Sequence, residues 1–259
     1  MHTQPPKLLK VLLIGDSCED VYHYGVCERL SPEAAVPVMR EIYTETAPGM
    51  SANVLLNLKA FGIDVEHITN EHKIEKHRFI DSRYNQHLLR YDTGERATLP
   101  HLNLEKVDSD TLYDAIVISD YNKGFLRDSD CREICAAFKD TPIFVDTKKN
   151  NLTCYNNCVI KINEKEYKNI TQKPNLAEFV VTLGDRGASY NDTVYHTHPV
   201  EVFDVCGAGD VFLSALVYGY LQTNSMAESI KLANKCASLS VSKMGTYVLT
   251  QDDINDLCV

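Results

Sequence analysis

Apolar residues first gather in KVLLIGD, residues 10–16, an unbroken run that closes on Gly-Asp. A run of that length without alternation predicts a strand buried on both faces, with its polar end at the carboxyl edge of a sheet. The same pattern returns at residues 115–120 (AIVISD), 142–146 (PIFVD) and 159–163 (VIKIN), each ending in Asp or Asn. Between them the apolar spacing changes to three and four. Residues 47–62 (APGMSANVLLNLKAFG) put Val54, Leu55, Leu58 and Phe61 on one side of a helix that Gly62 stops. Residues 127–140 (RDSDCREICAAFKD) predict a second helix that Asp128 or Ser129 caps, and residues 211–221 and 226–245 predict two more. EFVVTLGDRGASY, residues 178–190, reads as a strand, a glycine turn and a strand. Residues 22–43 and 77–92 break this rhythm, with aromatic and β-branched residues in short pieces between Gly and Pro, as in the exposed strands of a flap.

Strands and helices therefore alternate, and polar residues collect where the strands end. This predicts an α/β, three-layer domain: a mostly parallel central sheet flanked by helices, a small β-lid, and a site at the carboxyl ends of the strands. The lid segments, about residues 21–45 and 76–92, are inserted within one domain spanning residues 1–259.

Composition adds limits. The chain has 259 residues, 44% hydrophobic and 24% charged, enough for one sizeable core. A net charge of −10 argues against a broad nucleic-acid-binding face. No apolar run approaches the roughly 20 residues of a membrane helix, and MHTQPPKLLKVLLIG lacks the form of a signal peptide. These features predict a cytoplasmic protein with no membrane or nucleic-acid partner. Nine cysteines, an odd number, fit free thiols in a reducing compartment. Cys131, Cys135, Cys154 and Cys158 form two Cys-xxx-Cys pairs that offer four zinc ligands, although the first spacing equally suits a buried helix face.

The candidate chemistry centres on VFDVCGAGDVFL, residues 202–213. Gly207, Ala208 and Gly209 precede a helix, and backbone N–H groups at a helix start form an anion hole. An acid there, Asp210, has two readings. It is a first-turn acid that favours the helix, or it takes a proton from a substrate hydroxyl while the hole stabilises a transferring phosphoryl group.

Several segments carry a family resemblance. Asp204-Val205-Cys206-Gly207-Ala208-Gly209-Asp210 resembles the late Asp-Thr-x-Gly-Ala-Gly-Asp signature of the ribokinase-type (PfkB-like) carbohydrate kinases. GDSCEDVYHYGVCERLSPEAAVPV, PGMSAN, SRYNQHLLRYD, SDYNKGFL, VDTKKN and NEKE resemble segments of its heptose 7-phosphate kinase branch, and the likeness runs from about Lys10 to Asn255. The resemblance implies a ribokinase-like fold and phosphoryl transfer from Mg·ATP to a sugar phosphate. The favoured acceptor is D-glycero-β-D-manno-heptose 7-phosphate, which would give the 1,7-bisphosphate. It implies Asp210 as general base, and Gly207, Ala208 and Gly209 as anion hole. Asp20, Gly49 and Asn53 would hold sugar hydroxyls, and Asn163 and Glu166 would organise Mg²⁺ through water. Thr182, Gly184, Gly187, Asn234 and Gly245 would bind nucleotide. Arg83 and Arg90 are candidates for the acceptor's own phosphate, with Lys148 a weaker one. Taken singly, Asn163-x-x-Glu166 also reads as a capping arrangement, Asp20 as a surface acid, and the two arginines as edge-strand charges.

Three departures from the pattern stand out. Met50 replaces the second glycine of the substrate pair. The chain is short between residues 69 and 76 and between 166 and 180, so a compacted fold is expected. No His-x-Gly-His of a nucleotidyltransferase half occurs. Two alternatives remain, a kinase for another sugar or sugar phosphate and a degenerate kinase fold that binds without turnover. An NAD-type dehydrogenase is disfavoured because Gly15 is followed by Asp-Ser-Cys-Glu-Asp rather than a glycine motif. Apolar lid residues Val26, Leu30, Val36 and Val38 predict a homodimer joined through the lids.

Overall fold

The structure, a computed structural model, describes residues 8–95 and 100–257. The first residues of the segment read against a signal peptide lie outside them. Eight strands form the main sheet: β1 (Lys10–Gly15), β4 (Asp64–Thr69), β7 (Ala115–Asp120), β8 (Ile143–Thr147), β9 (Cys158–Asn163), β10 (Ala177–Thr182), β11 (Ala188–Tyr190) and β12 (Thr193–Tyr195). Their spatial order is β12-β11-β10-β9-β8-β7-β1-β4. The pairs from β4 to β10 are parallel, and β11 and β12 add antiparallel.

Alternation along the strands splits the core in two. Val11 and Leu13 of β1, with Val117 and Phe144, face a layer made by α1 (Ser51–Ala60), α4 (Ala208–Thr223), α5 (Met226–Val241) and α6 (Gln251–Leu257). Leu12 and Ile14, with Ile116, Ile118, Val145 and Ile160, face α2 (Asp128–Ala137) and the loop around Tyr155. The strands are thus buried on both sides, which explains their unbroken apolar runs. Among the described residues no helix is long and apolar enough to cross a membrane.

A second sheet of four strands, ordered β3-β2-β5-β6, stands off the main one. It comprises β2 (Ser17–Leu30), β3 (Pro37–Met50), β5 (Glu75–Asp81) and β6 (Gln86–Thr93). This is the lid, with strands longer than the aromatic pieces suggested. Short connections bear out compaction. Only a few residues join β4 to β5, and after β9 the five-residue α3 (Glu164–Lys168) runs into β10 through turns. Leu30 and Val36 of the lid are exposed, whereas Val26 and Val38 are half-buried.

Three local expectations change. Asp130, not Asp128 or Ser129, closes the start of α2, its carboxylate accepting from the Arg127 amide at 2.9 Å. Helix α5 ends at Val241, because Ser242 begins a turn back onto the helix's last carbonyls. Helix α4 starts at Ala208, so Asp210 lies within its first turn rather than ahead of it.

Candidate active site

Strands β1, β7, β8 and β9 deliver Asp16, Asp120, Asp146 and Asn163 to one edge of the main sheet. Helix α4 starts over that edge. Its N-cap, Gly207, has φ 73°, a left-handed conformation that favours glycine. A Cβ there would also lie 2.7 Å from Asn53 Nδ2. The turn places Asp210 beneath the sheet edge, 2% exposed.

Both Asp210 oxygens are held. Tyr121 donates its hydroxyl to Oδ1 at 2.7 Å, and Asn53 donates Nδ2 to Oδ2 at 3.1 Å. Burial pushes the Asp210 carboxyl up to about 6; the Tyr121 and Asn53 hydrogen bonds and the Lys161 ammonium pull it down, and Asp146 pushes it up. Such a group is ionised at neutral pH yet basic enough to accept a proton, the range expected of a general base.

A cavity of about 770 Å³ opens at the start of α4, lined by Tyr121, which bonds this carboxylate, though not by Asp210 itself. Gly207, Ala208 and Gly209 form part of its wall, so the positive end of the α4 dipole faces it. Lys161 and Lys148 add two ammonium groups. Lys161 pairs with Asp146 at 2.6 Å, both side chains buried. Burial raises the Asp146 carboxyl, but Lys161 and Lys148 outweigh it and hold it below the usual carboxylate range. Thr182, Gly184, Gly187, Asn163 and Asn234 line the remainder. Asn234 is fixed by donating Nδ2 to the Tyr195 carbonyl at 2.7 Å.

Asn163 and Glu166 make the capping arrangement the spacing allows. Asn163 Oδ1 accepts from the Glu166 amide at 2.8 Å and Glu166 Oε2 from the Asn163 amide at 3.1 Å. The other Glu166 oxygen, Oε1, meets Lys148 Nζ at 2.7 Å. Among the described residues no three His, Cys, Asp or Glu side chains cluster as a metal site. A donor set this sparse suits Mg²⁺, which keeps its waters and arrives on phosphate oxygens.

On the lid side, Asp20 and Gly49 touch: a Cβ on Gly49 would sit 2.4 Å from Asp20 Oδ2. Asp20 pairs with Arg78 at 2.6 Å, and both are buried. Register places Lys76, Arg78 and Arg90 on the same lid face as Asp20 and Tyr22. The structure therefore brings Asn53 onto Asp210 and gathers Asp20, Gly49 and Arg90 on the lid, with Arg90 paired to Asp92 at 2.6 Å. It does not bring Arg83, whose guanidinium is tied to Asp81 and to the Cys27 carbonyl at the lid's far turn. Gly245 lies outside the cavity wall, against the Tyr22 ring. Met50 is 2% exposed and packs with Cys18, Ile74 and Tyr121.

Sequence reasoning assigned no role to Tyr121, Lys161, Asp146, Lys76 or Arg78. A signal existed for some of them. Lys161 interrupts an apolar buried strand, and a lysine there needs a partner. Arg78 and Lys76 alternate with the rings of His77 and Phe79 on a lid strand. The four cysteines form no zinc site. Cys131 and Cys154 are free thiols joined by a hydrogen bond, and the Cys135 and Cys158 sulfurs lie 3.4 Å apart, all inside the second core cluster.

A family model described as pfkB family carbohydrate kinase matches residues 134–253. The bifunctional protein HldE of Campylobacter curvus is 29% identical over 307 aligned residues, covering 97% of this chain and 65% of its own. That of Pasteurella multocida is 30% identical, covering 96% and 63%. Over residues 134–253 the chain resembles the pfkB carbohydrate kinases, and over nearly its whole length it is similar to the HldE proteins. It spans less than two thirds of these relatives' length, and an alignment of 307 positions exceeds its 259 residues, so the relative carries segments this chain lacks. Among solved structures, Thermotoga maritima ribokinase superposes with a TM-score of 0.73 at 16% identity, covering 97% of this chain and 99% of that one. Escherichia coli phosphofructokinase-2 in complex with fructose-6-phosphate gives 0.72 at 14% identity, covering 97% and 98%. These likenesses establish the fold as ribokinase-like.

Proposed function

We propose that this chain transfers the γ-phosphoryl group of ATP to a sugar phosphate, with the anomeric hydroxyl of D-glycero-β-D-manno-heptose 7-phosphate as acceptor. The observation that carries the reading is Asp210, a buried carboxylate near pKa 6 in the first turn of α4, held by Tyr121 and Asn53 behind the cavity wall that Gly207, Ala208 and Gly209 form. Asp210 accepts the acceptor's hydroxyl proton as its oxygen attacks phosphorus. The α4 N-terminus and Lys161 face the charge that develops on the transferring oxygens. Thr182, Gly184, Gly187 and Asn234 hold the nucleotide. Asn163 and Glu166 would hold Mg²⁺ through its waters, where the ion would supply positive charge against the phosphates.

On the lid face, Asp20 and Gly49 meet sugar hydroxyls. Lys76, Arg78 and Arg90 supply the positive charge for the acceptor's own phosphate, a role in which Arg90 is retained and Arg83 is replaced. Likeness to the HldE proteins over most of the chain favours heptose among sugar phosphates. Exposed Leu30 and Val36 support a homodimer through the lids. The test is ADP release with this heptose phosphate, its unphosphorylated sugar and other sugar phosphates, with Asp210→Asn as control. No turnover by folded wild type on the whole panel refutes the kinase reading. Equal turnover of the unphosphorylated sugar refutes the phosphate site. A monomer by light scattering refutes the dimer.

A further inference from the structure

Tyr121 follows the last residue of β7, where that strand meets the cavity. Its hydroxyl bonds Asp210 Oδ1. Its ring packs on the Met50, Cys18 and Ile74 cluster. Two ammonium groups approach that ring, Lys76 at 5.1 Å and Lys148 at 5.4 Å from its centroid. Lys76 belongs to the lid, and Lys148 borders the cavity and is bound to Glu166. One side chain therefore contacts the lid, the cavity wall and the buried acid.

We propose that Tyr121 is a positioning residue that fixes the orientation of the Asp210 carboxylate and keeps it able to accept a proton during phosphoryl transfer. The inference rests on Asp210 being the base. A carboxylate offers about four lone-pair sites. Tyr121 fills one on Oδ1 and Asn53 one on Oδ2, which fixes the carboxylate's rotation and leaves capacity for an acceptor hydroxyl. The charged groups facing Asp210 are Asp146 on β8, Lys161 on β9 and Lys148 in the loop after β8; Cys18 on β2 is the neighbouring thiol. Burial and Asp146 favour the protonated acid, which cannot accept a proton, and the Tyr121 hydroxyl opposes them. Burial and the adjacent Asp210 hold the Tyr121 hydroxyl well above its ordinary value, so it stays a donor. In the step itself the acceptor O–H breaks, its proton goes to Asp210 and its oxygen bonds the γ-phosphorus as the bond from that phosphorus to the bridging oxygen breaks and ADP leaves, while the Tyr121 O–H remains intact.

Tyr121→Phe keeps the ring and its packing and removes the donor. The first readout does not need turnover: ¹³C-carboxyl-labelled aspartate is titrated by NMR, with the Asp210 signal assigned from its loss in Asp210→Asn. Losing a hydrogen bond to a charged group is expected to move the Asp210 midpoint up by about one to two pH units. The acid limb of kcat moves with it. At pH 7 the fall in ionised Asp210 lowers kcat about two- to tenfold, and the loss recovers by pH 9. KM for ATP stays unchanged. An unmoved Asp210 titration, or a kcat loss equal at every pH, overturns the proposal. Wild-type turnover by Asp210→Asn instead refutes the base reading itself, and the Tyr121→Phe titration still decides whether the contact sets the ionisation.

Discussion

Replacing Met50 by glycine is expected to leave a more stable protein than replacing it by alanine, the reverse of the usual order. Met50 has φ 57° and ψ −132°, a conformation that costs a side-chain-bearing residue about 1–3 kcal/mol. It is held there by β2, through the Ser17 pairing, and by the Ser51 amide bonding the Asp16 carbonyl at 2.9 Å as α1 begins. Truncation to alanine discards a buried side chain, a loss of about 2–5 kcal/mol, and keeps the strained backbone. Truncation to glycine loses the same contacts and about 0.5–1 kcal/mol more in chain entropy, but sheds the strain. The difference favours glycine over alanine by about 1 kcal/mol. Urea unfolding of the three proteins reads this directly, with midpoints expected in the order wild type, Met50→Gly, Met50→Ala. Leu55 in α1 is the control, since an ordinary helical position should show alanine ahead of glycine by about 1 kcal/mol. If glycine falls below alanine at both sites, Met50 does not occupy a left-handed conformation, and the strain argument is wrong.

Asp210 should cost the fold stability at neutral pH. Its native carboxyl lies near 6 against an ordinary 3.8, so the folded state binds the proton more tightly and stability falls as pH rises from about 4 through 6. Asp210→Asn is expected to gain roughly 3 kcal/mol over wild type at pH 7 and little at pH 4, and a gain that does not change with pH refutes this. Lys161→Met leaves Asp146 buried with only Lys148, 3.5 Å away, and should destabilise by about 3–5 kcal/mol, much of it restored when Asp146→Leu is added. An unchanged melting midpoint in Lys161→Met would show the pair to be dispensable. Arg78→Ala should raise KM for the acceptor and Arg83→Ala should leave it near wild type, because only Arg78 faces Asp20; the opposite result in acceptor kinetics would move the phosphate site to the far turn of the lid.

The strands of the main sheet could be read from sequence because burial on both faces leaves continuous apolar runs, and the acids that end them mark the functional edge. Lid strands were recognisable by composition, yet their length was not, since a sheet with one exposed face tolerates polar residues and breaks the pattern early. Side chains that act through space were harder to find. Tyr121 lies next to a strand end, but its tie to Asp210 spans 89 positions of sequence, and no local spacing encodes such a bond. Arg83 and Arg78 illustrate the same limit: both are arginines on or beside one lid strand, and only the alternation of faces, fixed once β2 and β5 pair, separates the one at the buried acid from the one at the turn.

Asn163 and Glu166 show why two readings of one motif need not compete. The pair caps α3 by mutual backbone bonds, as a purely structural motif would. That same geometry spends one Glu166 oxygen on the helix and turns the other onto Lys148, which lies against Tyr121 and borders the cavity. The cap therefore fixes where a cation stands at the cavity wall. Breaking it by Asn163→Ala would disturb the site through Lys148 even if neither Asn163 nor Glu166 ever met a metal.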